Sequence, residues 1–150
     1  MHTILLDLIN FEGHVNIKAT NTSTLEVTKE DFLTPRGDCI IGVSSDKACA
    51  DLTQRAKSYL ASNGSRVLIK IFVDKEVFNI HARGDSRLIL TNDKSIVIRK
   101  SSFICPRTLV IESSASASDL PRSIVKSLIK GSKGRMEIYA ILDDSNLSRN

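Results

Sequence analysis

The chain has no tryptophan, and its aromatic residues amount to 5%, so any core it builds is aliphatic. Short Ile, Leu and Val runs supply that core, and such residues favour strands. No stretch approaches the roughly 18 apolar residues that cross a bilayer, so no membrane-spanning helix is expected. The first ten residues lack a basic leader and Asp7 breaks their apolar run, which argues against a signal peptide. The expected setting is the cytoplasm. Only three cysteines are present, Cys39, Cys49 and Cys105. They have no metal-ligand spacing and cannot all pair, so free thiols are expected, with no metal and no cofactor. No motif for reading a DNA sequence is present.

The 150 residues carry ordinary apolar and charged fractions of 41% and 25%, enough for one domain with one core. The net charge of +4 is unevenly placed. Residues 1–74 hold 8 Lys+Arg against 9 Asp+Glu, whereas residues 75–150 hold 13 against 8. The whole basic excess therefore falls in the second half, which points to an anionic partner.

A shift of 71 residues aligns Gly13–Arg36 with Gly84–Arg107 without a gap. Seven identities result: Gly13/Gly84, Thr20/Thr91, Asn21/Asn92, Lys29/Lys100, Phe32/Phe103, Pro35/Pro106 and Arg36/Arg107. Internal periodicity of this kind predicts a tandem duplication with copies at about 1–74 and 75–150. Each copy reads as an apolar strand, a Gly turn, a second strand ending at Thr20 or Thr91, and a third strand with period-two alternation. That third strand carries Leu25 and Val27, or Ile96 and Ile98. A Pro-Arg loop, a fourth strand, one helix and a closing strand follow. The first helix is expected to start at Ser45 or Asp46 and to stop at Asn63-Gly64. The second is expected to start near Ser116–Ser118, with Pro121 in its first turn and Gly131 as its stop. The expected fold is α+β. Two β-β-β-β-α-β units, about ten strands in all, form a pseudo-twofold, mostly antiparallel barrel or sandwich with two helices. Residues 144–150 are expected to fray.

Both Pro-Arg loops put an arginine at the mouth of a strand on a stiffened backbone. Arg36, Arg107, Lys29 and Lys100, with Asn21 and Asn92, are the candidate ligand-binding set, since guanidinium forks suit phosphate. The expected partner is RNA or a phosphate-bearing small molecule. The competing explanation is plain turn chemistry. A catalytic alternative joins His14, Asp38 and Cys39 as an acid–base or thiolate set. A third alternative is a structural or assembly role without a small ligand. Few aromatics accompany the basic stretch from Arg83 to Arg107, and Phe78, Phe103 and Tyr139 are those nearby, which weakens a base-stacking role.

Several of these segments carry a family resemblance. They are Gly13-His14, Ala19-Thr20-Asn21, Thr24–Lys29, Leu33-Thr34-Pro35-Arg36-Gly37-Asp38-Cys39-Ile40-Ile41-Gly42-Val43, Asp46-Lys47 and Asp51-Leu52, followed by Ile98–Ser101 and Arg107-Thr108-Leu109. Together they resemble the archaeal family called domain of unknown function 371 over nearly the whole chain. The resemblance implies an archaeal cytoplasmic protein without an assigned activity. In that family His commonly follows the Gly of both copies and the Thr of the Ala-Thr segment. Here those places hold Asp85, Asn21 and Asn92, leaving His14.

Overall fold

The computed structural model describes residues 2–143, so the expected fraying of 144–150 lies outside the described residues. Within them the order is β1 (His2–Glu12), β2 (Thr24–Thr28), β3 (Ile40–Gly42), α1 (Gln54–Leu60), β4 (Arg66–Val73), β5 (Glu76–Arg83), β6 (Ser95–Arg99), β7 (Thr108–Val110), α2 (Arg122–Ile129) and β8 (Lys133–Leu142). These make two four-stranded sheets, ordered β1-β8-β4-β5 and β3-β2-β6-β7. The first is antiparallel throughout. The second is antiparallel at its centre, β2 against β6, with β3 and β7 added in parallel at its edges.

The fold is α+β and mostly antiparallel, and it is not a closed barrel. Single bridges, Glu12 to Val43 and Arg83 to Ile111, are what link the edges of the two sheets. One bridge per side cannot continue a ladder round a barrel. The expected second strand of each unit is also missing among the described residues. Ala19 and Leu90 sit at φ 51° and 55°, a left-handed conformation that strands do not tolerate. Eight strands therefore replace the expected ten.

Period-two patterning does its work at the core. Leu25, Val27, Ile96 and Ile98 on the central strands, and Val67, Ile69, Ile71 and Val73 on β4, are almost fully buried. They form one cluster with Ala56 and Leu60 of α1 and Ile124, Val125 and Leu128 of α2. Both helices begin later than their sequence signals. Thr53, not Ser45 or Asp46, caps α1, its hydroxyl accepting from the Ala56 N–H at 3.1 Å. Ser45 instead donates to the Lys47 carbonyl, and Asp46 binds Asn10. Ala117–Asp119 forms a separate 3-10 turn, and Pro121 precedes α2 as its N-cap. Leu120 is extended, at ψ 136°, because the proline after it excludes a helical conformation.

Many contacts occur twice. The Gly13 N–H donates to Ser132 O, and the Gly84 N–H to Ser65 O, each at 2.8 Å. A Cβ on Gly13 would meet Leu128 O at 2.1 Å, and one on Gly84 would meet Leu60 O at 2.2 Å. Glycine here answers a close approach to a helix end. The Ala50 N–H donates to Asn92 O and the Ser118 N–H to Asn21 O, so each half bonds the turn of the other. One packing contact is inverted between halves. The Phe11 ring lies over Gly134 and Gly42, where an added Cβ would stand 2.3 and 2.1 Å from it. At the matching places the second half has Ala82, Val67 and Val110, small for large and large for small.

Among the described residues, Leu68, Lys70, Phe72, Arg135, Glu137 and Tyr139 on the outer face of the β1-β8-β4-β5 sheet are only half-buried. Register places Leu5, Tyr139, Leu68 and His81 in one row across it, then Leu8, Glu137, Lys70 and Asn79, then Asn10, Arg135, Phe72 and Val77. Its strand residues include five cations, Arg66, Lys70, Arg83, Lys133 and Arg135, against Glu12 and Glu137.

Candidate functional site

Most residues of the expected ligand set have internal partners. Lys29 pairs with Asp51 at 2.6 Å and Lys100 with Asp119 at 3.1 Å, each tying the end of a central strand to a 3-10 turn. The Lys29 ammonium, then the Ala48 N–H, hold the Asp51 carboxyl below its ordinary range. The Ser116 N–H, then Lys100, do the same for Asp119. The Asn21 side-chain oxygen accepts from the N–H groups of Ser23 and Thr24, and that of Asn92 from Lys94 and Ser95. Both asparagines close turns. Arg107 reaches Glu26 at 3.8 Å.

The backbone does not match Arg36 with Arg107. The Val97 N–H donates to Arg107 O, while the Glu26 N–H donates to Cys39 O. Cys39 thus occupies the place of Arg107, and the three residues Gly37-Asp38-Cys39 carry Arg36 into a turn of its own, closed by Gly37 N–H to Thr34 O. Arg36 is exposed there.

The catalytic alternative is dispersed in bonding terms. The His14 ring nitrogen accepts from the Asn16 N–H, and Asp38 accepts from Asn21. Cys39 donates to Glu26, and no bond joins the three among the described residues. Burial, aided by the Glu26 carboxylate, pushes the Cys39 thiol up to about 11. Burial pushes Cys49 up to about 12. Cys105, which sequence reasoning passed over, differs. Burial opposes its ionisation, but the Thr108 hydroxyl, the Arg107 N–H and the Arg99 guanidinium donate to its sulfur and bring it down to about 7. The legible signal was Arg99 six residues before Cys105 in a Cys-Pro-Arg-Thr turn.

A concave feature lies elsewhere, at the edge of the antiparallel sheet. A cavity of about 550 Å³ is lined by Arg66, His81, Arg83, Glu112 and Ser114, with Val67, Ala82 and Ile141 as its apolar part. Four elements build it. The β4–β5 hairpin sets Arg66 opposite Arg83. The bridge from Arg83 to Ile111 brings up Glu112, which pairs with Arg83 at 3.4 Å. The Ser114 hydroxyl accepts from the His81 N–H at 3.0 Å. Gly64, at φ +68°, leaves room for Arg83, whose Nη2 would stand 3.0 Å from a Cβ there. In the first half the corresponding place is spanned by Asp46, bonded twice to Asn10. Arg83 stood out in the sequence as part of a basic stretch, but no local signal links it to Arg66 or Ser114. Among the described residues no group of three His, Cys, Asp or Glu could hold a metal ion, and no helix is long and apolar enough to cross a membrane.

Fold and site define an α+β protein of two four-stranded sheets with a basic-rimmed cavity at one sheet edge. A family model described as Domain of unknown function (DUF371) matches residues 9–141, and the chain belongs to that family. It is also 44% identical over 124 residues to the uncharacterized protein MJ0206 of the archaeon Methanocaldococcus jannaschii, a match covering 83% of this chain and 91% of the relative.

Proposed function

We propose that this is a small binding protein for a phosphate-bearing ligand, a nucleotide or RNA, seated in the cavity of Arg66, His81, Arg83 and Ser114. One observation carries the proposal. Two arginines on paired strands flank an opening whose floor is apolar and whose volume of about 550 Å³ suits a small ligand. Guanidinium forks bind phosphate. Glu112 pairs with Arg83 at 3.4 Å, and an anion in the cavity would compete with that half-exposed pair. The expected set around Lys29, Lys100 and Arg107 supports the proposal less, because those cations lie outside this cavity and brace turns and strand ends instead. A cytoplasmic setting goes with it, in keeping with three free thiols.

Titration calorimetry with AMP and with adenosine tests it. AMP binds, adenosine binds at least tenfold more weakly, and Arg83→Gln removes most of the difference. Equal affinity for both, or no binding of either, refutes it.

The proposal includes an internal duplication, with halves at about 1–74 and 75–150. It draws support from the doubled glycine contacts, the exchanged Asn21 and Asn92 carbonyls and the mirrored strand orders. On this view the cavity is a feature of the second half, the half that carries the basic excess.

A further inference from the structure

The outer face of an antiparallel sheet ordinarily turns polar side chains to water. The face of the β1-β8-β4-β5 sheet departs from that pattern. Phe72 and Tyr139 lie on it, on the adjacent central strands β4 and β8, among Leu5, Leu8 and Leu68. Each ring is met by a cation. The Arg135 guanidinium stands 4.4 Å from the Phe72 ring centre, and the Lys70 ammonium 5.8 Å from that of Tyr139. Glu137 fixes this array, accepting from Arg135 Nε at 2.8 Å and from the Tyr139 hydroxyl.

The face also runs into the cavity. Arg66, His81, Arg83 and Ile141 line the cavity and belong to the same outward rows. From Arg66 to Phe72 along β4 is about 20 Å at strand rise, room for a few nucleotides. Cations outnumber carboxylates on its strands five to two, and five to three once the Glu112 of the cavity is included. Rings on an apolar face with that charge are complementary to a polyanion with flat bases.

We infer that this face is a stacking platform for single-stranded RNA, in which bases take the places that Arg135 and Lys70 hold over the Phe72 and Tyr139 rings and the two cations swing to the phosphates. Single strands are held in this manner, by aromatic stacking plus a cationic track, with little demand for sequence. Duplex RNA keeps its bases stacked on one another and cannot use the rings. The inference rests on the proposed function, extending the cavity's phosphate site into a track, and it reverses the expectation drawn from the low aromatic content. The two rings are far apart in sequence, and only strand pairing sets them on one face.

Fluorescence anisotropy with a labelled, mixed-sequence single-stranded RNA of about ten nucleotides tests it, alongside calorimetry with AMP. Phe72→Leu and Tyr139→Leu keep the apolar bulk and remove the ring. Each weakens RNA binding by roughly tenfold, while AMP affinity at the cavity stays unchanged. Arg83→Gln weakens both ligands. Lys70→Gln and Arg135→Gln each reduce the slope of log affinity against log salt by about 0.7, and they serve if a leucine variant loses its fold. Unchanged RNA affinity in the leucine variants overturns the platform, and so does a preference for duplex. AMP binding without RNA binding at low salt overturns the platform and leaves the cavity proposal standing. Absence of both overturns both.

Discussion

Phe11→Ala offers the sharpest test of how the two halves are packed. Phe11 is 2% exposed and its ring covers Gly134 and Gly42. Truncation removes the ring's burial and leaves a void bordered by two glycines, which have no side chains to swing inward. Losses of about 3–5 kcal/mol follow from such Phe→Ala changes, against a total stability of about 5–15 kcal/mol. If the proposed duplication holds, Ala82, Val67 and Val110 are the counterparts of Phe11, Gly134 and Gly42. Gly134→Val in the parent should destabilise, since its Cβ would stand 2.3 Å from the Phe11 ring. In the Phe11→Ala background the same valine enters the void and recovers stability. Urea denaturation of the parent, both single variants and the double variant measures the coupling. The double variant should be more stable than the summed single losses predict, by about 1–3 kcal/mol. Additive losses would show that the Ala82–Val67–Val110 arrangement is not the counterpart of Phe11–Gly42–Gly134, and the matched packing would be wrong.

Two further outcomes follow from the ionisable groups. Asp51 is held below its ordinary value by Lys29, so its contribution is present above the unfolded carboxylate value near about 3.9 and fades as pH falls through the folded one. Thermal melts should therefore drop less steeply between about pH 5 and pH 2 in Asp51→Asn than in the parent. The half-exposed pair limits that difference to about 1 kcal/mol, and molar salt should abolish it. Iodoacetamide should alkylate Cys105 first, with a rate midpoint near pH 7, while Cys39 and Cys49 stay protected in the folded chain, as peptide mass spectrometry will reveal. Earlier labelling of Cys39 contradicts the electrostatics described for both thiols.

The alternation of Leu25 with Val27 and of Ile96 with Ile98 announced the central strands, because a two-residue period needs no knowledge of the rest of the chain. Gly13 and Gly84 were visible as special, but their reason was not. Each stands directly before a turn, and each must be glycine because a helix end from the opposite half approaches within contact. The helix starts were misplaced because Ser45, Asp46 and Ser116 are good caps in isolation, and strand-edge partners claim Asp46. Arg36 and Arg107 match in the ungapped shift but not in backbone bonding, for a related reason. Identity along an ungapped shift ends there, and three extra residues move Arg36 out of the place that the hydrogen bonds assign to Cys39.

By itself the amino-acid order determined which side chains face a core, that the three thiols cannot all pair, where the positive charge collects and which family the chain resembles. Each of these depends on residue type or on spacing within one segment. Tertiary structure decided the eight-strand open arrangement, the internal pairing of Lys29, Lys100 and Arg107, the cavity, and the meeting of Phe72 with Tyr139 on one face. Those depend on which distant strands pair and in what register. That choice follows from packing the whole core at once, a condition that no local period records.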